Sequence, residues 1–104
     1  ATLREHAALL AEAGAAMLVL ELVPASLGAA ITRELPIPVI GIGAGLGCSG
    51  QVLVLHDMLG LVPGQPPRFV RDFMADAVGI ADGVRRYVQA VKDGSFPDPA
   101  LHCY

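Results

Sequence analysis

Residues 16–50 read AMLVLELVPASLGAAITRELPIPVIGIGAGLGCSG. An apolar run, residues 17–20, stops at a lone acid, Glu21, with Val23 and Pro24 close behind. A second run, residues 38–42, stops in glycines: Gly41, Gly43, Gly45, Gly47 and Gly50. Both runs are continuously apolar rather than alternating, the pattern of strands covered on both faces in a parallel sheet. Between them Pro24 suits the first turn of a helix. Leu27, Ala30, Ile31 and Leu35 then recur at helical spacing until Pro36 and Pro38 end it. Strand, helix, strand in this order is a βαβ unit with a right-handed crossover. The predicted class is α/β.

Upstream, residues 2–13 predict a helix. Thr2 and Glu5 have capping-box spacing, Leu3, Ala7, Leu10 and Ala11 form a stripe, and Gly14 suits the left-handed residue that ends a helix. Downstream, residues 51–60 carry two signals. Val52 and Val54 favour a strand, whereas Ser49 as a cap with Val52, Leu55 and Leu59 favours a helix. A parallel return from Ile42 usually takes about a dozen residues, more than lie before Gln51. A short strand over 51–54 running into a helical turn at 55–59 is the reading that fits best. Residues 60–68, with three prolines and two glycines, are a loop. A short helix is predicted at 69–75 and a longer one at 80–92. In the longer helix Ile80, Val84, Tyr87, Val88 and Val91 form one stripe, and Lys92 and Gly94 mark the end. Residues 95–104 read as irregular.

A chain of 104 residues is normally one domain. Its hydrophobic fraction of 54% against 16% charged, with mean hydropathy +0.57, is apolar for a size class with much surface to cover. The chain is therefore expected to be part of, or buried in, something larger, and its start on a helix with no strand before it fits that. No apolar window reaches the ~18 uninterrupted residues of a membrane span, and no secretory-signal pattern opens the chain. With a net charge of −3, 5% aromatics and no basic patch, nucleic acid is not an expected partner. Cys48 and Cys103 form no CxxC pair, so reduced thiols in a cytoplasmic chain are expected.

Glu21 leads the candidate residues. A carboxylate at the C-terminal end of a buried parallel strand stands where α/β enzymes place site residues. Apolar neighbours would desolvate it and favour its protonated form, which suits a general base. The other reading is a strand-end acid that pairs with an arginine or caps the next helix, and position alone leaves both open. Gly45-x-Gly47-x-x-Gly50 matches the dinucleotide-binding spacing. The acid expected about 20 residues further on, at the end of a second strand, is missing, so the glycines read better as tight turns or close backbone approach. His56 and Asp57, being adjacent, diverge on a strand or a helical turn, and a structural hydrogen-bonding role suits them better than a dyad. Cys48 lacks activating neighbours for a nucleophile. His6, His56 and His102 are too scattered for a metal site.

Several blocks together resemble the C-terminal part of the ketopantoate hydroxymethyltransferase family, also called 3-methyl-2-oxobutanoate hydroxymethyltransferases. They are AGAAMLVLELVP at 13–24, IPVIGIGAG at 37–45, GQVLVLHDMLG at 50–60, PRFVRDF at 67–73, GSFP at 94–97, and His102-x-Tyr104. The resemblance covers nearly the whole chain and implies the last strands and terminal helices of a (β/α)8 TIM barrel, a single domain of which residues 1–104 are a fragment. It implies hydroxymethyl transfer from 5,10-methylenetetrahydrofolate to 3-methyl-2-oxobutanoate, giving ketopantoate on the route to pantothenate and coenzyme A. It further implies Mg2+ with its ligands outside this chain, Glu21 as the proton acceptor at C3, Gly41, Gly43 and Gly45 lining the pocket mouth, and a homo-oligomer, a decamer in the family. The chain alone is then expected to be inactive. The family commonly has Asp at the position of Ser49 and Glu at that of Leu101. The alternative is a non-catalytic α/β module that self-associates through its strand edges and apolar faces.

Overall fold

The computed structural model describes residues 2–104. Helix α1 (Thr2–Glu12) leads to strand β1 (Leu18–Glu21), helix α2 (Ala25–Glu34) and strand β2 (Val39–Ile42). A two-residue strand β3 (Gly50–Gln51), a single helical turn α3 (Leu55–Met58) and helix α4 (Ile80–Asp93) follow. The three strands form one parallel sheet in the order β1-β2-β3. The α/β class and the βαβ unit are as the sequence predicts. Thr2, expected to cap α1, stands instead as its first residue.

Helices α1 and α4 each end on a glycine in the left-handed region. Gly14 has φ +107; its N–H donates to Ala11 O at 3.1 Å, and the Ala15 N–H donates to Leu10 O at 3.1 Å. This pair of bonds satisfies the last carbonyls of the helix. Gly94 repeats the arrangement after α4, with the Ser95 N–H donating to Ala90 O at 3.0 Å.

Two cores adjoin the sheet, the second touching it through Ile42 alone among the strand residues. Ala7, Leu20, Val23, Ile31, Val39 and Ala44 pack α1 and α2 against one face. Ile42, Leu53, Met58, Phe69, Val70, Phe73, Ala90 and Phe96 form the second core, closed by α3 and α4. Phe73 sits edge-on to both Tyr87 and Phe96, with ring centroids 5.3 Å apart in each case, a favoured quadrupole geometry.

Four further sequence expectations change. First, β1 is covered on one face only. Leu18 and Leu20 point to the helices, whereas Val19 is 57% exposed and Glu21 is exposed. Second, residues 69–75 make turns, not a helix. The Asp72 carboxylate accepts the Met74 N–H at 2.8 Å and the Phe73 N–H donates to Met58 O at 2.9 Å, diverting donors a helix would use. Third, the stripe on α4 splits. Tyr87 and Val91 pack on the core beside Gly83 and Ala90, while Ile80, Val84 and Val88 are exposed. Fourth, the expected strand over 51–54 shortens to Gly50–Gln51, and the helical turn after it forms at Leu55–Met58.

The short parallel return from β2 to β3 carries no crossover helix. Residues 43–49 instead lie directly on α2. A Cβ at Gly45 would stand 2.6 Å from the Cβ of Ala25, one at Gly47 would stand 2.5 Å from that of Ala29, and one at Gly28 of α2 would stand 2.5 Å from Ala44 O. The Gln51 amide donates to Gly45 O at 2.8 Å and fastens the return. Gly45 and Gly64 share a φ of +85, but around Gly64 nothing lies within 4 Å of an added Cβ. Gly64→Ala is therefore expected to cost only backbone strain, about 1–2 kcal/mol. Gly45→Ala should add an overpacking cost of about 1–3 kcal/mol. Urea unfolding of the two variants measures the difference, and equal losses would remove the packing role of the return.

Candidate active site

The C-terminal ends of β1 and β2 lie side by side, with Glu21 in register with Ile42. Adjacent residues of parallel strands share a face, so Glu21 flanks Ile42 at the rim of the second core. The next residue, Leu22, has φ +54, the one positive φ at a non-glycine among the described residues. A leucine in this region costs about 1–2 kcal/mol. It is held there by its N–H, which donates to Ile42 O at 2.9 Å, and Val23 beyond it is buried. Backbone strain of this kind collects at functional sites. No signal in the sequence marked Leu22.

Both structural roles open to Glu21 are unfilled. No salt bridge or side-chain hydrogen bond reaches it among the described residues. Helix α2 has Pro24 at its cap position and no side-chain cap bond. The desolvation expected from the apolar neighbours is not present, because the face of β1 that carries Glu21 is uncovered. The carboxylate is thus a free acceptor at a strand end, reachable by a ligand from the open face.

Gly41, Gly43 and Gly45 are buried at the same end of the sheet. An added Cβ at Gly41 would meet Cys48 Sγ at 2.9 Å, and one at Gly43 would meet Leu22 and Phe69 at 3.2 Å. Gly43 has φ +66 and Gly45 φ +85. Each is required by contacts within the chain. The chain after Gly47 enters β3 rather than a helix, which removes the dinucleotide-binding reading, since that motif needs a helix N-terminus for the phosphates.

The other candidates separate. His56 and Asp57 lie on α3 with His56 exposed, and only Asp57 lines a cleft of about 170 Å³ together with Gly60 and Asp72. Neither makes the side-chain hydrogen bond expected of a structural role among the described residues. Burial pushes the Cys48 thiol up, with a smaller opposing effect from the Thr32 hydroxyl, so thiolate is disfavoured. Cys48 and Cys103 are both free thiols. Ser49 does not cap a helix. Its hydroxyl accepts the Val39 N–H at 3.1 Å and ties the return to β2, a bond an aspartate could also accept. Leu101, the other departure from the family pattern, is 63% exposed. Among the described residues no three His, Cys, Asp or Glu side chains are grouped to hold a metal, and no helix is long and apolar enough to cross a membrane.

The fold defines a parallel α/β segment with an unpartnered carboxylate at one strand end. The family model of ketopantoate hydroxymethyltransferase matches residues 1–99, and the chain belongs to that family. It is 62% identical over its whole length to a 3-methyl-2-oxobutanoate hydroxymethyltransferase 2 of Methylibium petroleiphilum, covering 38% of that protein. It is 67% identical over 91% of its length to the 3-methyl-2-oxobutanoate hydroxymethyltransferase of Nitrosomonas europaea, covering 35% of it. A Burkholderia mallei enzyme of the same name is 65% identical over 85% of the chain, with 32% covered. The chain thus spans about a third of the length of the curated relatives it matches.

Because Glu21 is exposed and unpartnered, Glu21→Gln is expected to leave stability within about 0.5 kcal/mol of the parent in urea unfolding. A larger loss would show a structural partnership that the geometry lacks.

Proposed function

We propose that this chain supplies the general base of a ketopantoate-forming hydroxymethyltransferase, with Glu21 as proton acceptor. The observation that carries the reading is the unpartnered Glu21 at the end of β1, in a chain of this family. In the proposed reaction the Glu21 carboxylate takes the proton from C3 of 3-methyl-2-oxobutanoate. The C–H electron pair moves into the C2–C3 bond and the keto oxygen gains the enolate charge. The C2–C3 enolate pair then forms a bond to the methylene carbon of 5,10-methylenetetrahydrofolate; the bonds of that carbon to the folate nitrogens break, one water supplies the hydroxyl, and tetrahydrofolate leaves. The reading is supported by position: a weak carbon acid needs a base set beside it, and α/β sheets receive ligands at their carboxyl ends. The Mg2+ implied for the family finds no three-ligand group among the described residues, so its ligands would come from outside them.

The sheet fits a segment of a (β/α)8 barrel. Its strands are parallel and in sequential order, and α1 and α2 cover one face. Val19 and Glu21 then face the barrel interior. In this reading Gly41, Gly43 and Gly45 shape the pocket mouth through backbone, by letting Leu22 and Phe69 close over Gly43. Free thiols fit a reducing, cytoplasmic setting.

The chain alone, given keto acid, folate donor and Mg2+, is expected to form no ketopantoate; turnover by it would overturn the fragment reading. Joined with the part of the Nitrosomonas europaea relative that it does not span, it should exchange the C3 hydrogen of 3-methyl-2-oxobutanoate with deuterated water. Glu21→Gln should slow that exchange by about 10²–10⁴-fold. Unchanged exchange in the variant would exclude Glu21 as the base.

Self-association belongs to the same proposal, and to the non-catalytic alternative. Ile80 at 63%, Val84 at 36% and Val88 at 42% exposure form one apolar line along α4, continued by Val78 at 94%. Size-exclusion chromatography is expected to show an oligomer rather than a 10.8 kDa monomer; a monodisperse monomer counts against it.

A further inference from the structure

Helix α2 begins without a side-chain cap, because Pro24 has neither an N–H nor a side-chain acceptor. The first N–H groups of a helix need acceptors from elsewhere. One comes from the far end of the sequence: the Ala25 N–H donates to Tyr104 O at 3.0 Å. Tyr104 is held in turn by Arg68, whose guanidinium lies 5.5 Å from the Tyr104 ring centroid and donates to Cys103 O at 3.3 Å. Residues 98–104 therefore form a strap from α4 to the helix that follows Glu21.

The strap closes on His102, 8% exposed and the one buried polar side chain among the described residues. Its ring packs on Phe96 at 5.1 Å between centroids. Its Nδ1 accepts the Asp98 N–H at 2.9 Å, while the His102 N–H donates to Asp98 O at 2.8 Å. The Asp98 carboxylate accepts the Ala100 N–H at 2.8 Å and completes the turn. This arrangement requires a neutral imidazole with Nδ1 bare, because a protonated Nδ1 would oppose the Asp98 N–H donor to donor.

We propose that residues 98–104 are a pH-operated strap, closed on the α2 N-terminus while His102 is neutral and released when His102 takes up a proton. The charges that face His102 are the Asp98 carboxylate on its own turn and Arg71 of the segment between α3 and α4, which also stacks over Phe73 at 4.6 Å. Phe96 presents only an apolar ring. Burial pushes His102 down, Asp98 opposes this, and Arg71 adds to it, so the folded value lies below the usual one. Above an ordinary histidine value of about 6.5 the ring is neutral whether the strap is closed or open, and closure carries no penalty. As pH falls through that value the open form binds the proton first, and the penalty on closure is complete below the lower, closed-state value. The strap is independent of whether Glu21 is a base.

The test is a pH titration of the 15N-labelled chain by NMR, following the Ala25 and Asp98 amides and the His102 imidazole from about pH 8 to about pH 5. All three should move with one shared midpoint below about 6.5. In His102→Asn, whose Oδ1 keeps an acceptor where Nδ1 stands but does not titrate, Ala25 should stay still. Arg71→Gln removes the facing cation and should raise the His102 and Ala25 midpoints together, which gives a second readout if His102→Asn folds poorly. An Ala25 amide that stays fixed while His102 titrates, or that moves equally in His102→Asn, overturns the proposal.

Discussion

The fold depends on one contact made almost without side chains, that of residues 43–47 against α2. A helix normally fills the space between neighbouring parallel strands. Here the return from β2 lies on the helix that preceded β2, with only hydrogen where Gly45, Gly47 and Gly28 meet Ala25, Ala29 and Ala44. A Cβ at any of these three would press the return away from α2. The pairing of Gly50 and Gln51 with Ile40 and Gly41, and the Gln51 bond to Gly45 O, follow from that close approach. The glycine run thus acts first as geometry, and its resemblance to a cofactor loop is incidental.

The same approach fixes the end of β1. Gly43 leaves room for Leu22 and Phe69 together, so Leu22 can fold back in the left-handed region while its N–H extends the β1–β2 pairing by one bond. Val23 then turns into the first core and α2 starts. Glu21 is left as the last strand residue before a strained turn, on the face that α1 and α2 do not cover. Its exposure and its strained neighbour are one feature, because the turn that buries Val23 leaves the carboxylate on the other side.

Much of this was legible in the sequence. The apolar runs on either side of the stretch with Leu27 and Ile31 gave β1, α2 and β2, and Gly14 and Gly94 marked helix ends, because local propensity and tertiary structure agree there. Residues 69–75 misled because Asp72 bonds its own backbone and Phe73 bonds α3, choices that periodicity does not register. The α4 stripe misled in part because the small residues Gly83 and Ala90 share the core face with Tyr87 and Val91, in place of Ile80, Val84 and Val88. Glu21 was visible as a lone acid after an apolar run. Its lack of partners, and the left-handed Leu22 beside it, depend on segments distant in sequence and could not be read locally.

The two ends of the sheet are built differently, and the difference bears on function. At the N-terminal end the ties span 10 to 20 residues: Leu18 N–H to Pro38 O, and Ser49 to Val39 in both directions. At the C-terminal end the chain brings together distant segments: Leu22 and Gly43 with Phe69, and Ala25 with Tyr104 and Arg68. Closing the longer loops costs more entropy than closing the shorter ones. The ties of longest sequence span among these thus lie at the carboxyl ends of the strands, where a parallel sheet receives ligands. Proline at the α2 cap position fits the same pattern, since it refuses a local cap and leaves the helix N-terminus to be completed by the tail. Glu21 stands four residues from that junction, so the segments that stabilise the sheet also set the surroundings of its one unpartnered strand-end acid.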